Sequence, residues 1–289
     1  MSKNIDLHTH STFSDGTKTP EELITLAKEI GLEALALTDH DTCLGLDLAQ
    51  AKAKELNIKF IRGCELSTRS ELGELHILGL WIPKQCPHLE EKLAQLRQRR
   101  DERNAKIVER LNQIGLPLTI EEVRACAGLG SVGRPHIAQA LVKRGYVPDS
   151  KTAFTEYLGA GCKAYIPKAV FKPEEAVKAL TEVQATVCLA HPLLHHYPLA
   201  WMEQMLKRLI DLGLDAIEVW HTEHSEAAIS QALAWAKKFN LGVSGGSDYH
   251  GERKPGVNLG CGRGNLAIPV EVLTNLEARR RSQGLPIED

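Results

Sequence analysis

The feature that most constrains the fold of this 289-residue chain is a repeated alternation of short apolar runs with longer helical patterns. Seven runs have the length and composition of strands: NIDLH, ALALTDH, KFIRGCELS, LHILGL, TVCLAHP, AIEVWH and GVSGGSDYH. Between them lie amphipathic segments such as EELITLAKEIG and LDLAQAKAKELN, which end on a Gly or Asn that favours helix termination. The repeat predicts an α/β parallel barrel, distorted or open because it has seven strands instead of eight.

The repeat is interrupted between about Pro83 and Pro167. There HLEEKLAQLRQRRDERNAKIVERLNQIG has the pattern of one long helix, and LTIEEVRACAG and RPHIAQALVKRG have the pattern of shorter helices. The sequence therefore predicts a barrel of residues 1–83 and 167–289 with a helical insertion at residues 84–166. An insertion of this kind is expected to cap the barrel mouth and to contribute substrate contacts.

The composition is that of a globular protein, and it argues against several classes of protein. A hydrophobic fraction of 43% and a charged fraction of 25% are typical of globular proteins, and a formal net charge of -2 argues against binding of duplex nucleic acid. The seven cysteines include no Cys-x-x-Cys pair, so neither a disulfide framework nor a cysteine-based zinc site is indicated. No run approaches the length of a membrane span. We expect a cytoplasmic monomer that acts on a small substrate and does not bind membranes.

Polar residues stand at the carboxyl ends of nearly all the apolar runs, where barrel enzymes place their active sites. His8 and His10 are two residues apart, so on a strand their side chains point to the same face and can hold one metal ion. Asp248 and His250 repeat this spacing after GVSGGS. These pairs predict a metal site at one end of the barrel.

Five further candidates have ordinary explanations when each is taken alone: Asp15, His40, Glu65, His76 and His191. A turn would explain Asp15, and satisfied core histidines would explain His76 and His191. Glu65 is costly to bury unless it is paired or bound to metal. Asp39 and Asp41 flank His40 and suit the orientation of an imidazole, although Asp41 equally suits a helix cap. The coincidence of these residues at successive strand ends favours a single site.

The segments DLHTHSTFSDG, LTDHD, GCELS, LHILGL, LAHP and SGGSDYHG together resemble the motifs of the PHP (polymerase and histidinol phosphatase) family. The resemblance implies a distorted (β/α)7 barrel with three divalent ions. It assigns His8, His10, Glu65 and Asp248 to the first ion, Glu65, His76 and His191 to the second, and Asp15, His40 and His250 to the third. Glu65 would bridge two ions, and Glu65, Asp15 and His40 are expected to be catalytic.

Clustered cations would neutralise phosphate oxygens and lower the pKa of a shared water, giving a hydroxide for in-line attack on phosphorus. Nitrogen and oxygen ligands without thiolate are compatible with manganese, iron or zinc, and the resemblance favours Mn²⁺. The pattern singles out no residue to protonate the leaving group: the unassigned histidines near strand ends are His195, His196, His221 and His224.

Six residues around the insertion are predicted to contact the substrate: Arg99, Arg103, Asn104, Arg134, His136 and Lys168. Arg99 and Arg103 are four residues apart on one helix face, although a solvated basic face would explain them equally. Arg134 and His136 stand at a helix start, where backbone N–H groups favour an anion.

The insertion resembles that of the nucleotide-directed branch of the family, which includes 3′,5′-nucleoside bisphosphate phosphatases and an exoribonuclease that acts on short RNA. The leading hypothesis is removal of the 3′-phosphate from adenosine 3′,5′-bisphosphate or a similar nucleotide, with the insertion holding the other phosphate. Trimming of short RNA from the 5′ end, hydrolysis of histidinol phosphate and a non-catalytic, metal-binding regulatory role are the alternatives.

Overall fold

The structure, a computed structural model, describes residues 4–127, 132–167 and 170–287. The chain forms two compact units, one of residues 1–90 and 171–289 and the other of residues 91–170. Lys168, one of the predicted substrate contacts, lies outside the described residues. Within the described ranges, no helix combines the length and the apolar character that a membrane crossing needs.

The described part of the first unit contains one sheet whose seven strands are neighbours in chain order. They are β1 (Ile5–Asp6), β2 (Ala34–Leu37), β3 (Lys59–Arg69), β4 (Glu74–Leu80), β5 (Thr186–Leu189), β6 (Ala216–His221) and β7 (Gly242–Gly246). This confirms the predicted seven-stranded distorted barrel. The expectation of a parallel sheet is wrong for β4, which is antiparallel to both β3 and β5. Only residues 70–73 connect β3 to β4, too few for the crossover that a parallel pair requires.

The first and last strands approach each other and nearly close the barrel. The backbone N–H of Leu7 donates to the carbonyl of Gly245 over 3.1 Å, and that of Asp248 donates to the carbonyl of His8 over 2.9 Å. A Cβ at Gly246 would collide with the Cβ and backbone nitrogen of His8, so only glycine fits this close approach. The closure brings the segment after β7 beside the segment after β1.

The helices alternate with the strands as the sequence predicts. They are α1 (Pro20–Glu29), α2 (Leu46–Leu56), α3 (Pro87–Gln113), α4 (Ile120–Ala127), α5 (Arg134–Lys143), α6 (Ser150–Ala153), α7 (Pro173–Glu182), α8 (Leu199–Ile210), α9 (Glu226–Phe239) and α10 (Val270–Ser282). Asn57 ends α2 in the left-handed conformation, which confirms the predicted asparagine stop, and Asn240 ends α9 in the same conformation. Helices α7 and α10 were not predicted from the sequence.

Each unit has its own hydrophobic core. In the first unit the alternate residues of the strands pack with α10, in a cluster that includes Ile5, Leu7, Ile61, Leu78 and Leu276. In the second unit α3, α4 and α5 bury a separate cluster that includes Ile107, Leu111, Val123, Ile137 and Leu141. Burial of this kind is the main source of stability in such units.

Candidate functional site

The nine predicted metal ligands all lie in the first unit, at one edge of the sheet. His8, His10 and Asp15 follow β1, His40 follows β2, Glu65 lies in β3, His76 in β4, His191 follows β5, and Asp248 and His250 follow β7. His76 is near the start of its strand, not the carboxyl end expected of a parallel barrel. Because β4 is antiparallel, its start lies at the same edge as the carboxyl ends of the parallel strands.

Glu65 lies at the centre of the group, and one of its oxygens is surrounded by imidazoles. Its Oε2 atom is 3.3 Å from Nε2 of His8, 3.2 Å from Nε2 of His10 and 3.1 Å from Nδ1 of His40. The Glu65 side chain is only 1% exposed. Three ring nitrogens from two different strand ends therefore point at one buried oxygen.

The other oxygen of Glu65 has two further histidines beside it. Oε1 is 3.0 Å from Nδ1 of His76 and 3.1 Å from Nε2 of His191. The carboxylate thus has imidazoles on both sides, an arrangement suited to a group that bridges two cations. This is the position that the sequence resemblance assigned to Glu65.

Asp248 is the second carboxylate at the centre. Its Oδ1 atom is 3.6 Å from Nε2 of His8, 3.2 Å from Nε2 of His10 and 3.3 Å from Nδ1 of His250. The Asp248 side chain is 10% exposed, so it too faces the buried centre. The two histidines of the HxH motif therefore point at both carboxylates.

Asp15 lies at the more open side of the group. Its Oδ1 atom is 3.2 Å from Nε2 of His250 and 3.8 Å from Nδ1 of His10, and its Oδ2 atom is 4.0 Å from Nε2 of His40. The side chain of Asp15 is 45% exposed. A cation held by Asp15 would therefore be the one most accessible from solvent.

The charges of this group influence one another strongly. Burial would raise the pKa of Glu65, but the surrounding histidines outweigh it and hold that pKa well below its usual range. Burial lowers the pKa of His10, but the nearby carboxylates of Asp248 and Glu65 outweigh it and raise that pKa to about 10. Burial lowers the pKa of His40 to about 3. The carboxylates are thus ionised, as metal ligands must be.

Several buried polar atoms at the centre make no hydrogen bond to any residue that the structure describes. They are Nε2 of His8, Nε2 of His10, Nδ1 of His40, Oε2 of Glu65 and Oδ1 of Asp15. Buried polar atoms are nearly always paired in proteins, because an unpaired one costs about 1–3 kcal/mol. Divalent cations would satisfy these five atoms at once, so the residues fit such ions.

Ligand atoms within 4.8 Å of one another form four groups in the described residues. They are His10, Asp15, His40 and His250; His8, Glu65 and His191; His8, His10 and Asp248; and His40, Glu65 and His76. The groups contain all nine predicted ligands. They share members, so the predicted division of the ligands among three ions stays a prediction.

Glu218 is a buried carboxylate that the sequence prediction missed. Its Oε1 atom is 3.0 Å from Nδ1 of His8, and its Oε2 atom accepts a hydrogen bond of 2.7 Å from the backbone N–H of His191. Glu218 therefore fixes the His8 ring with Nε2 directed at the centre. Its signal in the sequence is a charged residue in the middle of the apolar run AIEVWH.

Asp39 and Asp6 support the loops that carry the candidate ligands. Asp39 accepts hydrogen bonds from the backbone and hydroxyl of Ser11 and from the hydroxyl of Ser14, at 2.5–2.8 Å. Asp39 thus holds the turn before Asp15. The sequence had suggested that it orients the His40 ring instead. Asp6 in the same way accepts from the backbone and hydroxyl of Ser247, next to Asp248.

Two candidate ligands have an unusual backbone conformation. His191 has a φ of 24° and Asp248 a φ of 55°, in the left-handed region that non-glycine residues seldom adopt. Such strain persists only where the surrounding structure imposes it, and it concentrates at functional sites. The observation supports a functional role for both positions.

The second unit contains a cationic group of its own. Arg103 is 7% exposed and its Nε donates to the carbonyl of Ile166 over 2.7 Å. Its buried Nη2 atom makes no hydrogen bond to the residues that the structure describes. Burial and the nearby charge of Arg134 lower the pKa of Arg103 to about 10, which still leaves it protonated near neutrality. Arg134 lies beside the rings of Phe154 and Tyr165. Two guanidinium groups held close together favour a bound anion.

The other predicted substrate contacts differ in their surroundings. Asn104 is fully buried and its amide donates to the carbonyl of Val132 over 2.9 Å. Nδ1 of His136 accepts from the backbone N–H of Gly133, so in the neutral ring the proton is on Nε2. Arg99 is exposed, although it shares a helix face with Arg103. The structure thus brings Arg103 and Arg134 together and leaves Arg99 at the surface.

The chain is similar to several known proteins. The PHP domain model matches residues 6–115. A 5′-3′ exoribonuclease of Haemophilus influenzae is 34% identical over 86% of this chain and 91% of that protein. A 3′,5′-nucleoside bisphosphate phosphatase of Chromobacterium violaceum is 32% identical over 96% of this chain and 97% of that protein. A solved structure assigned as a metal-dependent phosphoesterase of Bifidobacterium adolescentis has a TM-score of 0.82 and 32% identity, over 96% of this chain and 97% of that chain.

Proposed function

The chain belongs to the PHP family of metal-dependent phosphoesterases, and we propose that it removes the 3′-phosphate from nucleoside 3′,5′-bisphosphates such as adenosine 3′,5′-bisphosphate. The bisphosphate phosphatase of Chromobacterium violaceum, which aligns over almost the full length of both chains, supports this substrate. The products would be a nucleoside 5′-monophosphate and inorganic phosphate.

The observation that carries the proposal is the set of unpaired atoms around Glu65. Five buried nitrogen and oxygen atoms face one centre without hydrogen bonds among the described residues, and they belong to residues that suit divalent cations. We assign His8, His10, Asp15, His40, Glu65, His76, His191, Asp248 and His250 as the ligands of three ions, preferably Mn²⁺. Bound ions would neutralise the oxygens of a phosphoryl group and lower the pKa of a water molecule.

The residues of the chain then have distinct roles. Glu65 and Asp248 supply negative charge to the centre, and their low pKa keeps both ionised over the pH range of catalysis. Glu218 keeps the proton of His8 on Nδ1 and leaves Nε2 as the ligand atom. Asp15 lies at the exposed side, where a phosphoryl group can approach.

The cationic group of the second unit supports a substrate with two phosphates. A simple phosphomonoester offers one phosphate, which the metal centre would bind. Arg103 and Arg134 would form a further anion site, and Nη2 of Arg103 is a buried donor without a partner among the described residues. We propose that this group, with Asn104 and His136, holds the 5′-phosphate. Arg99 has a minor role at most in this proposal because it is exposed.

A steady-state assay of phosphate release tests the proposal directly. Purified protein with Mn²⁺ is compared on adenosine 3′,5′-bisphosphate, 3′-AMP, 5′-AMP and histidinol phosphate. We expect the highest kcat/KM for the bisphosphate, with 3′-AMP turned over and 5′-AMP untouched. Equal turnover of bisphosphate and simple monoesters would contradict the proposed substrate, and preference for histidinol phosphate would favour that alternative. No turnover by metal-loaded protein would favour the regulatory role.

The exoribonuclease relative favours a second candidate activity, release of mononucleotides from the 5′ end of short RNA. The two reactions attack the same 3′-phosphoryl group, which carries a further nucleotide in RNA and none in the bisphosphate. A 5′-phosphorylated RNA tetramer separates them. Release of mononucleotides at a rate comparable to hydrolysis of the bisphosphate would support the exoribonuclease, whereas an intact tetramer would exclude it.

A further inference from the structure

The two carboxylate oxygens of Asp248 have different neighbours. Oδ1 faces the candidate ligands, 3.2 Å from His10 and 3.3 Å from His250. Oδ2 lies 2.7 Å from Nζ of Lys254 and 3.2 Å from Nε2 of His221. Neither Lys254 nor His221 is among the nine predicted ligands. One oxygen is thus directed to the centre while two other groups hold the second.

His221 acts on Asp248 as a hydrogen-bond donor. The backbone N–H of Glu223 donates to Nδ1 of His221 over 3.1 Å, so Nδ1 is the acceptor nitrogen of the ring. A neutral imidazole carries one proton, which is then on Nε2 and points at Oδ2 of Asp248. His221 is completely buried, which holds its ring in this orientation. Oδ2 therefore accepts two hydrogen bonds, one from the neutral imidazole of His221 and one from the ammonium group of Lys254.

The segment that carries Lys254 is fixed by its own contacts. The backbone N–H of Lys254 donates to the carbonyl of Gly251 over 3.2 Å. Arg263 donates to the carbonyl of Pro255 over 3.0 Å and to the side chain of Glu223 over 3.2 Å. Glu223 thus fixes His221 through its backbone and the Lys254 segment through its side chain. Both donors to Asp248, His221 and Lys254, are therefore linked through the hydrogen bonds of Glu223 and Arg263.

We infer that Lys254 and His221 are positioning residues, which we call the Asp248 clamp, and that they direct Oδ1 of Asp248 to the cation it binds. The inference rests on the proposed assignment of Asp248 as a metal ligand. Partners of this kind restrict the rotation of a ligand, and losing them commonly costs about 10- to 100-fold in metal affinity. The clamp also withholds Oδ2 from the cation, which favours binding through one oxygen.

Lys254 has two effects of opposite sign on a nearby cation. Its positive charge repels the cation, so removal of the charge alone would tighten binding. Its hydrogen bond to Asp248 orients the ligand, so removal of the bond would weaken binding. The Lys254 side chain is 26% exposed, which screens its charge, whereas a bond of 2.7 Å is short and directional. Weaker binding is therefore the expected net result.

Four variants of the full-length protein test the clamp. Lys254→Met removes the charge and the donor, Lys254→Gln removes the charge and leaves a donor of shorter reach, and Lys254→Arg retains both. Arg253→Met removes a neighbouring positive charge and serves as the matched control. Mn²⁺ dissociation constants are measured by competition with a chelator, and bound ions are counted by mass spectrometry. We expect Lys254→Met to raise the dissociation constant of one ion about 10- to 100-fold. The Arg variant should recover most of the affinity, the Gln variant should fall between Met and Arg, and the control should match the wild type.

His221→Phe provides a second measurement that does not depend on the folding of Lys254→Met, and it should raise the same dissociation constant. Unchanged or tighter Mn²⁺ binding in both variants would overturn the inference. Asp248→Asn distinguishes this failure from a failure of the ligand assignment. If Asp248→Asn weakens binding while the clamp variants do not, only the clamp is wrong. If Asp248→Asn also binds Mn²⁺ like the wild type, the assignment and the clamp are both wrong.

Discussion

The barrel unit and the helical unit concentrate opposite charges. Around Glu65 the barrel buries carboxylates and imidazoles, which together suit cations. Around Arg103 the helical unit buries a guanidinium group beside Arg134, which suits an anion. Within the described parts of the chain, both groups contain buried polar atoms without hydrogen bonds, Oε2 of Glu65 in one and Nη2 of Arg103 in the other. The barrel group therefore suits cations and the helical group suits an anion, each within its own unit.

The two groups are assembled differently. The barrel collects its ligands from strand ends spread between His8 and His250, so the group depends on the complete fold of that unit. The helical group depends on α3, on α5, on the π-helical turn Phe154–Leu158 and on the carbonyl of Ile166. A substitution in the barrel group should abolish every phosphoester reaction. A substitution in the helical group should affect only substrates with a second phosphate.

The largest effect is expected from Glu65→Gln, which retains the size of the side chain but removes its charge. Loss of the central carboxylate should release cations and cost about 4 kcal/mol of transition-state stabilisation, or about 10³-fold in kcat/KM. The loss should be similar for the bisphosphate and for an aryl phosphate monoester. Metal content and phosphate release are measured together, with exposed Glu29→Gln as the control. Retention of full metal content and activity would exclude Glu65 as a ligand.

A more selective effect is expected from Arg103→Met and Arg134→Met in the helical unit. A hydrogen bond to a charged group contributes about 1.5–3 kcal/mol, so kcat/KM for the bisphosphate should fall about 10- to 100-fold. Turnover of an aryl phosphate, which has no second phosphate, should stay near the wild-type value. Lys106→Met removes an exposed charge from the same helix and should change neither reaction. An equal loss on both substrates would argue against a separate anion site.

A smaller effect in the barrel is expected from Glu218→Gln. The variant weakens the orientation of His8 without removing a ligand, so Mn²⁺ affinity should fall about tenfold. Saturating Mn²⁺ should restore most of the activity, which it cannot do for Glu65→Gln. The dissociation constant is measured by chelator competition, and Glu226→Gln, which changes an exposed carboxylate, is the control. An affinity equal to that of the wild type would mean that Glu218 does not act through His8.

The sequence predicts more of the barrel than of its supporting contacts. Local patterns carry information about strands and helix stops, so the seven strands and the turn at Asn57 could be predicted. Positions at or just after strand ends also marked most of the nine candidate ligands, whereas His76 lies near the start of β4. The antiparallel β4 could not be predicted from that pattern, since only the short connection from β3 determines its direction.

The side chains that contact the candidate metal ligands could not be predicted either, because they lie far away in sequence or in segments with no distinctive pattern. Glu218 contacts His8 across 210 residues of chain, and no spacing rule joins such distant positions. Lys254 is only six residues from Asp248, but its neighbours Glu252, Arg253 and Pro255 give the segment the composition of an ordinary surface loop. In the helical unit, periodicity places Arg99 and Arg103 on one face but does not tell which one is buried. Depth and long-range pairing require the folded structure.

The smallest effect comes from a matched pair of helix caps, one in each unit. Thr19 and Thr119 form capping boxes of the same geometry: each threonine accepts from a glutamate N–H over 3.2 Å, and the glutamate carboxylate accepts from the threonine N–H over 2.8 Å. Thr19→Ala and Thr119→Ala should each cost about 1 kcal/mol of unfolding free energy. Because the units have separate cores, we expect two unfolding transitions in calorimetry, with Thr19→Ala lowering one and Thr119→Ala the other. Mn²⁺ should raise only the transition that Thr19→Ala lowers, since a ligand stabilises the unit that binds it. A single transition lowered equally by both variants would show that the two units unfold together.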